Sequence, residues 1–155
     1  GIAAGAGVSL ALACDIVVAA RSASFLQAFS RIGLIPDSGG TWFLPQRVGM
    51  ARALGLALLA ERLSAEQAAA WGLIWACVDD SDLDLTVGRL TAQLAGSATS
   101  ALVRTREAMR AGMSNALERQ LDLERDIMQE LGHSQDYREG VSAFMAKRPA
   151  RFRGE

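Results

Sequence analysis

Apolar positions divide the chain into three regimes. Residues 1–20, G-I-A-A-G-A-G-V-S-L-A-L-A-C-D-I-V-V-A-A, are small and apolar almost without a break. The Gly/Ala-rich start predicts a tight backbone turn opening a short buried helix over 8–14. The β-branched stretch 15–20 predicts a short buried strand. Asp15 interrupts this run, Ser9 and the glycines dilute it, and no basic flank precedes it, which argues against a signal peptide or a membrane span. In the second regime, 21–24 turns the chain and 24–27 reads as another strand. It leads into F-L-Q-A-F-S-R-I-G-L-I-P-D-S-G-G-T-W-F-L-P, residues 25–45. There Gly33 breaks the apolar run, Pro36 fixes its own φ, and Gly39 and Gly40 admit angles closed to other residues. Helix formers follow over 51–61 around Leu54, Leu58 and Leu59. Ser64-Ala65-Glu66-Gln67 fits a capping box, and the helix it starts ends near Trp71-Gly72. Residues 73–78 read as a strand and 79–84 as a solvated acidic turn. In the third regime helical spacing predicts helices over 85–94, 101–111, 114–131 and 134–146, punctuated by Gly96, Gly112 and Gly132.

Composition narrows the class. The 155 residues suffice for one domain with a real core; half are hydrophobic and 6% aromatic, so Ala and Leu supply the apolar content and favour helix. The formal net charge of −1 gives no basic balance for nucleic acid. Cys14 and Cys77 stand in apolar surroundings and suit buried thiols of a reduced, intracellular protein. The single His and two distant Cys offer no metal-ligand cluster. The abrupt apolar start at Gly1 reads as a fragment lacking its N-terminal part. The tail K-R-P-A-R-F-R-G-E is basic, suiting either solvated charge or a polyanion contact.

Asp37 is the leading candidate for chemistry. A carboxylate between apolar walls is expected to have a raised pKa and can shuttle protons near neutral pH. From the residues alone, Asp37 and Ser38 also suit a plain turn, with Thr41 or a neighbour capping the next helix. At the glycine-rich turn, N–H groups at the helix start can face a developing negative charge. Small residues there also permit close packing, and the phosphate-cradling G-x-G-x-x-G and Walker lysine are absent. Leu117, Leu121, Glu124 and Met128 share a helical face suited to a core or a subunit contact. His133, beside Gly132, reads as a cap, a base or a plain surface residue.

Taken in order, G-I-A-A-G-A-G-V-S-L-A-L-A-C-D-I-V-V-A-A, F-L-Q-A-F-S-R-I-G-L-I-P-D-S-G-G-T, R-L-S-A-E-Q-A-A-A-W-G-L-I and E-G-V-S-A-F-M-A-K-R-P-A-R-F resemble the crotonase (enoyl-CoA hydratase/isomerase) superfamily over the whole chain. The resemblance implies an α/β fold: the C-terminal part of a crotonase-like (ClpP/crotonase) β-spiral over 1–80, then a helical trimerisation region over 81–155. It implies an acyl-CoA thioester substrate, an enolate held by backbone N–H groups with Ala6 as donor and Gly7 beside it, and a homotrimer or hexamer. Hydratases of the family carry one Glu where this chain has Ser9 and another where it has Phe29. Asp37 stands where they usually have Gly. This pattern is similar to the family's ring-epoxide isomerase subgroup of phenylacetate degradation, and implies an isomerase with Asp37 as its one proton shuttle. Phe29, Trp42 and Phe43 would wall the acyl pocket, while Phe144 and Lys147 would meet the adenine and phosphates of CoA. The implied enzyme is cytoplasmic and needs no metal or redox cofactor, CoA being part of the substrate, with neither nucleic acid nor membrane as partner. The alternatives are a hydratase or hydrolase with its base relocated to Asp37, and a non-catalytic CoA-binding or assembly protein.

Overall fold

A computed structural model describes residues 1–155, and the chain divides into two compact units, Gly1–Gly88 and Arg89–Glu155. The boundary falls inside a helix.

The first unit mixes short strands with helices. Strand β1 (Ile2–Ala4) runs straight into helix α1 (Ala6–Ala13), then come β2 (Val18–Ala20) and β3 (Ser24–Leu26). A 3-10 turn, Phe29–Ile32, precedes α2 (Gly40–Leu59), followed by β4 (Arg62–Ser64), α3 (Ala65–Ala70) and β5 (Ala76–Val78). β3 lies between β1, to which it is parallel, and β4, to which it is antiparallel; β2 pairs in parallel with β5. Strands β1 and β4 were not expected, because three-residue strands are too short to show alternation. The β-branched run 15–20 forms a strand only from Val18. The run 1–20 is thus strand, helix and strand, and no helix of the chain is long and apolar enough to cross a membrane.

Val8 and Leu12 of α1, Phe25 of β3, Leu44, Val48 and Leu56 of α2, and Leu63 of β4 make the core of this unit. α1 is apolar on every side, so both the sheet and α2 can pack against it. α2 begins at Gly40 and incorporates the aromatic segment 41–44. Gly49, at φ 75° and ψ 163°, breaks its helical path. Ser64 caps α3 as the sequence implied, its Oγ accepting from Gln67 N–H at 3.2 Å. Gly72, at φ 77°, ends that helix. The acidic run is not simply solvated. Asp79 accepts from Arg21 Nε at 2.7 Å, and Asp80 accepts from the backbone N–H of Ser22 at 3.2 Å and from its hydroxyl. Those bonds, the hydroxyl's first, hold Asp80 below its ordinary pKa. Nor are the thiols buried as expected: Cys14 is exposed and Cys77 half-buried, and both are free.

α4 (Leu83–Ala95) spans the boundary. The second unit continues as α5 (Thr99–Gly112), α6 (Leu117–Gly132) and α7 (Gln135–Met145). Arg104 of α5 bonds Glu130 of α6, and Ser134 caps α7 by accepting from Tyr137 N–H at 3.0 Å. Leu117, Leu121 and Met128 are 68%, 55% and 69% exposed, so this face is not core within the chain. The basic tail is pinned by its backbone and by the Arg148 side chain, which donates to both Glu139 carboxylate oxygens at 2.6 and 2.8 Å. The buried Asp136 carboxylate accepts from Arg153 N–H at 2.7 Å and Gly154 N–H at 2.8 Å, while Glu139 accepts from Arg151 N–H at 2.8 Å.

Candidate active site

Parallel pairing of β1 and β3 brings the ends of both strands out on one side. The Gly5 N–H there donates to Leu26 O at 2.9 Å. Gly5, at φ 53° and ψ −125°, turns the chain directly into α1. The Val8 N–H returns to Gly5 O at 3.0 Å. The N–H groups of Ala6 and Gly7 belong to the first turn of α1, where an α-helix supplies no carbonyl partner. These donors, at the positive end of the helix, can hold an oxygen that gains negative charge. Phe29, the first residue of the 3-10 turn that follows β3, closes the turn from the other side. It is buried, and its ring lies 3.4 Å from where a Gly5 Cβ would be.

A second cluster forms at the start of α2. The turn Asp37–Gly40 is closed by Gly40 N–H donating to Asp37 O at 2.7 Å. Ser38 and Gly39 both take positive φ, 49° and 81°. Phe43 is half-buried and meets Trp42 edge-on, with ring centroids 4.9 Å apart. Asp37 itself is exposed. The apolar walls expected around it are not closed: Leu34 and Ile35 are 59% and 77% exposed, and Trp42 is 51% exposed. The apolar run before Asp37 turns its side chains outward after the 3-10 turn, so apolar neighbours in sequence do not become a pocket in this chain.

Ser9 links the two clusters. It is fully buried on α1, and a Cβ on Gly40 would fall 2.7 Å from its Oγ. At the other end of α1, Arg47 of α2 donates to Leu12 O and Cys14 O at 3.4 and 3.2 Å. Nothing in the sequence announces this contact. A cation three residues beyond an aromatic segment carries no signal of the carbonyls it will cap.

Phe144 and Lys147 belong to the second unit. They flank the end of α7, where Lys147 takes φ 50° and its N–H donates to Phe144 O at 3.1 Å. Phe144 is 83% exposed and lines a largely apolar groove of about 810 Å³ with Tyr137, Val141 and Phe152. His133 caps the end of α6 through its backbone.

A family model described as enoyl-CoA hydratase/isomerase matches residues 1–155. The 1,2-epoxyphenylacetyl-CoA isomerase of Escherichia coli K12 is 56% identical over the whole chain, which covers 59% of that protein. A Rhodobacter capsulatus protein bearing an enoyl-CoA hydratase name is 54% identical over 99% of the chain and 60% of its own length. Among solved structures, an enoyl-CoA hydratase of Polaromonas sp. JS666 is 40% identical with a TM-score of 0.94, over 99% of this chain and 60% of that one. An enoyl-CoA hydratase of Bacillus anthracis is 34% identical with a TM-score of 0.96, over 100% and 60%. The chain therefore spans about three fifths of the length of these relatives. With the match unbroken from residue 1 to residue 155 and the backbone shared with solved relatives, the chain belongs to the enoyl-CoA hydratase/isomerase family, in the crotonase superfamily.

Proposed function

We propose that the full-length protein isomerises an acyl-CoA thioester by a proton shuttle through one carboxylate, Asp37. The observation that carries this reading is what occupies the two positions where family hydratases have glutamates. One is Ser9, fully buried; the other is Phe29, buried over Gly5. A paired acid and base for adding water is missing there, while Asp37 sits on the turn that Gly40 packs against Ser9. Identity of 56% to the E. coli isomerase supports the same class.

In this reading Asp37 takes a proton from the carbon beside the thioester carbonyl. The electron pair moves into the carbonyl, and the N–H of Ala6, with Gly7 as the neighbouring alternative, holds the enolate oxygen together with a donor from the N-terminal part of the full-length protein. For a 3-enoyl thioester, the protonated Asp37 returns the proton at C4 and the double bond comes to rest between C2 and C3. For 2-(1,2-epoxy-1,2-dihydrophenyl)acetyl-CoA, the same abstraction starts opening of the ring epoxide to the oxepin. Substrate and product are isomers, so the balance needs no oxidant and no water, and CoA arrives as part of the substrate. Phe29, Trp42 and Phe43 wall the acyl group; Phe144 offers a ring to adenine and Lys147 a cation to phosphate. The exposed Leu117, Leu121 and Met128 face suits a subunit contact, within a proposed trimer or pair of trimers; the cytoplasm is the proposed compartment.

Hydration is the second reading, favoured by the hydratase-named relative at 54% identity. Turnover of a 3-enoyl-CoA to its 2-enoyl isomer, by the full-length protein and its Asp37→Asn variant, decides between them alongside hydration of a crotonyl thioester. Isomerisation should fall by about a hundredfold or more in the variant, with CoA binding retained. Equal isomerisation in both proteins would remove Asp37 as the base. Rapid hydration of the crotonyl thioester would favour the second reading.

A further inference from the structure

Ser9 is fully buried, and its Oγ has no hydrogen-bond partner. A buried hydroxyl without a partner costs about 1–3 kcal/mol, so hydrogen bonding does not account for the residue. Its shape does. The side chain projects from α1 into the notch left where Gly40, the first residue of α2, has no Cβ. A Cβ there would lie 2.7 Å from Ser9 Oγ, 3.8 Å from Ser9 Cβ and 3.0 Å from Pro36 Cβ. Gly40 in turn closes the Asp37 turn, its N–H donating to Asp37 O at 2.7 Å. The helix that opens on the N–H groups of Ala6 and Gly7 therefore bears directly on the residue that closes the Asp37 turn.

We infer that Ser9 is a positioning residue: seated in the Gly40 notch, it fixes the Asp37 turn relative to the start of α1. This rests on the proposed roles of Asp37 and Ala6 for its catalytic consequence, and on the Ser9–Gly40 contact alone for its structural one. An oxygen atom supplies the right bulk at the notch. Removing it leaves the turn free to settle inward, and a Cβ on Gly40 forces it outward.

The test uses the full-length protein in four forms: parent, Ser9→Ala, Gly40→Ala and the Ser9→Ala/Gly40→Ala double variant. It reads kcat and KM for a 3-enoyl-CoA, with the backbone amide NMR signals of Asp37 and Gly40. Ser9→Ala should lower kcat about tenfold at unchanged KM, as expected for a small misplacement of a reacting group, and shift both amide signals. Gly40→Ala should cost more. The double variant moves the filling group from α1 to α2, where its nearest Ser9 atom is 3.8 Å away. It removes the 2.7 Å contact but keeps the 3.0 Å approach to Pro36 Cβ, so it should recover part of the kcat lost in Gly40→Ala and return the amide signals part of the way to the parent.

Parent-like kcat and signals in Ser9→Ala would overturn the inference. So would a fall in kcat with the signals unmoved, or a double variant no better than Gly40→Ala. An Asp37→Asn control in the same series separates the two levels. If it keeps full activity, the proton-shuttle reading fails, and the amide signals still decide whether Ser9 seats the turn.

Discussion

Gly39→Ala tests the geometry of the Asp37 turn without touching the carboxylate. Gly39 takes φ 81° and ψ 6° at the N-cap of α2. An alanine held in that left-handed conformation costs about 1–2 kcal/mol. The new Cβ would also lie 2.8 Å from Phe43 Cε2 and 3.1 Å from Cδ2, well inside the 3.5–4.0 Å of a relaxed carbon pair. The ring must retreat by about 1 Å. It can do so because its edge-on neighbour Trp42 is half exposed, which places the steric cost near the lower end of the overpacking range, about 1 kcal/mol. Together these give about 2–3 kcal/mol, or a urea midpoint lowered by about 1 M at an unchanged slope of about 2 kcal/mol/M. Gly39→Asn separates the two terms. Asn tolerates left-handed angles but has the same Cβ, so it should lose roughly half as much. Equilibrium urea unfolding of the three proteins reads both numbers. A Gly39→Ala midpoint within the equivalent of about 0.5 kcal/mol of the parent would refute the reasoning.

Two further outcomes concern the tail. Asp136→Asn replaces an acceptor of two backbone N–H groups by an amide whose NH2 must face one of them, at a cost of about 1–3 kcal/mol; carboxypeptidase should then remove residues 151–155 faster than from the parent, and equal rates would contradict this. Glu139, bonded by Arg148 and then by Arg151 N–H, has its pKa lowered from 4.5 to about 2. Because the folded value is the lower one, its contribution is full above about pH 4.5 and fades as pH falls toward 2. Tail protection, followed by hydrogen exchange at Arg151, should therefore persist at pH 5 and weaken between pH 4 and 2, and a loss already complete at pH 5 would count against it.

Local signals proved the readable ones. Ser64 and Gly72 bracket α3 because capping and left-handed stops depend only on near neighbours. The turn around Gly5 and the start of α1 were legible for the same reason, as was the turn carrying Asp37. What depended on distant partners was not. β1 and β4 exist through pairing with β3, and nothing within three residues announces a strand. The exposure of Asp37 and Cys14 could not be inferred from apolar neighbours, because Leu34, Ile35, Leu10 and Ile16 are themselves exposed. Ser9 was visible as the one polar residue of an apolar helix and as a departure from the hydratase pattern, but its contact with Gly40 is tertiary. Arg47 on the carbonyls of α1 had no signal at all. The tail looked like free charge because its anchors lie on α7: Asp136 binds backbone N–H groups of the tail, and Glu139 binds both the Arg148 side chain and Arg151 N–H, contacts that composition does not announce.

The bond from Gly5 N–H to Leu26 O also has a bearing on how the molecule acquires its site in time. A parallel strand pair cannot zip outward from a hairpin; it forms only after the intervening crossover, here α1 and β2, has already closed. The angles that aim the first N–H groups of α1 therefore arise with the same long-range closure that buries Val8, Leu12 and Phe25. The direction of the first turn of α1 and the core therefore arrive as one event, and a partly folded chain does not carry that turn in its native orientation.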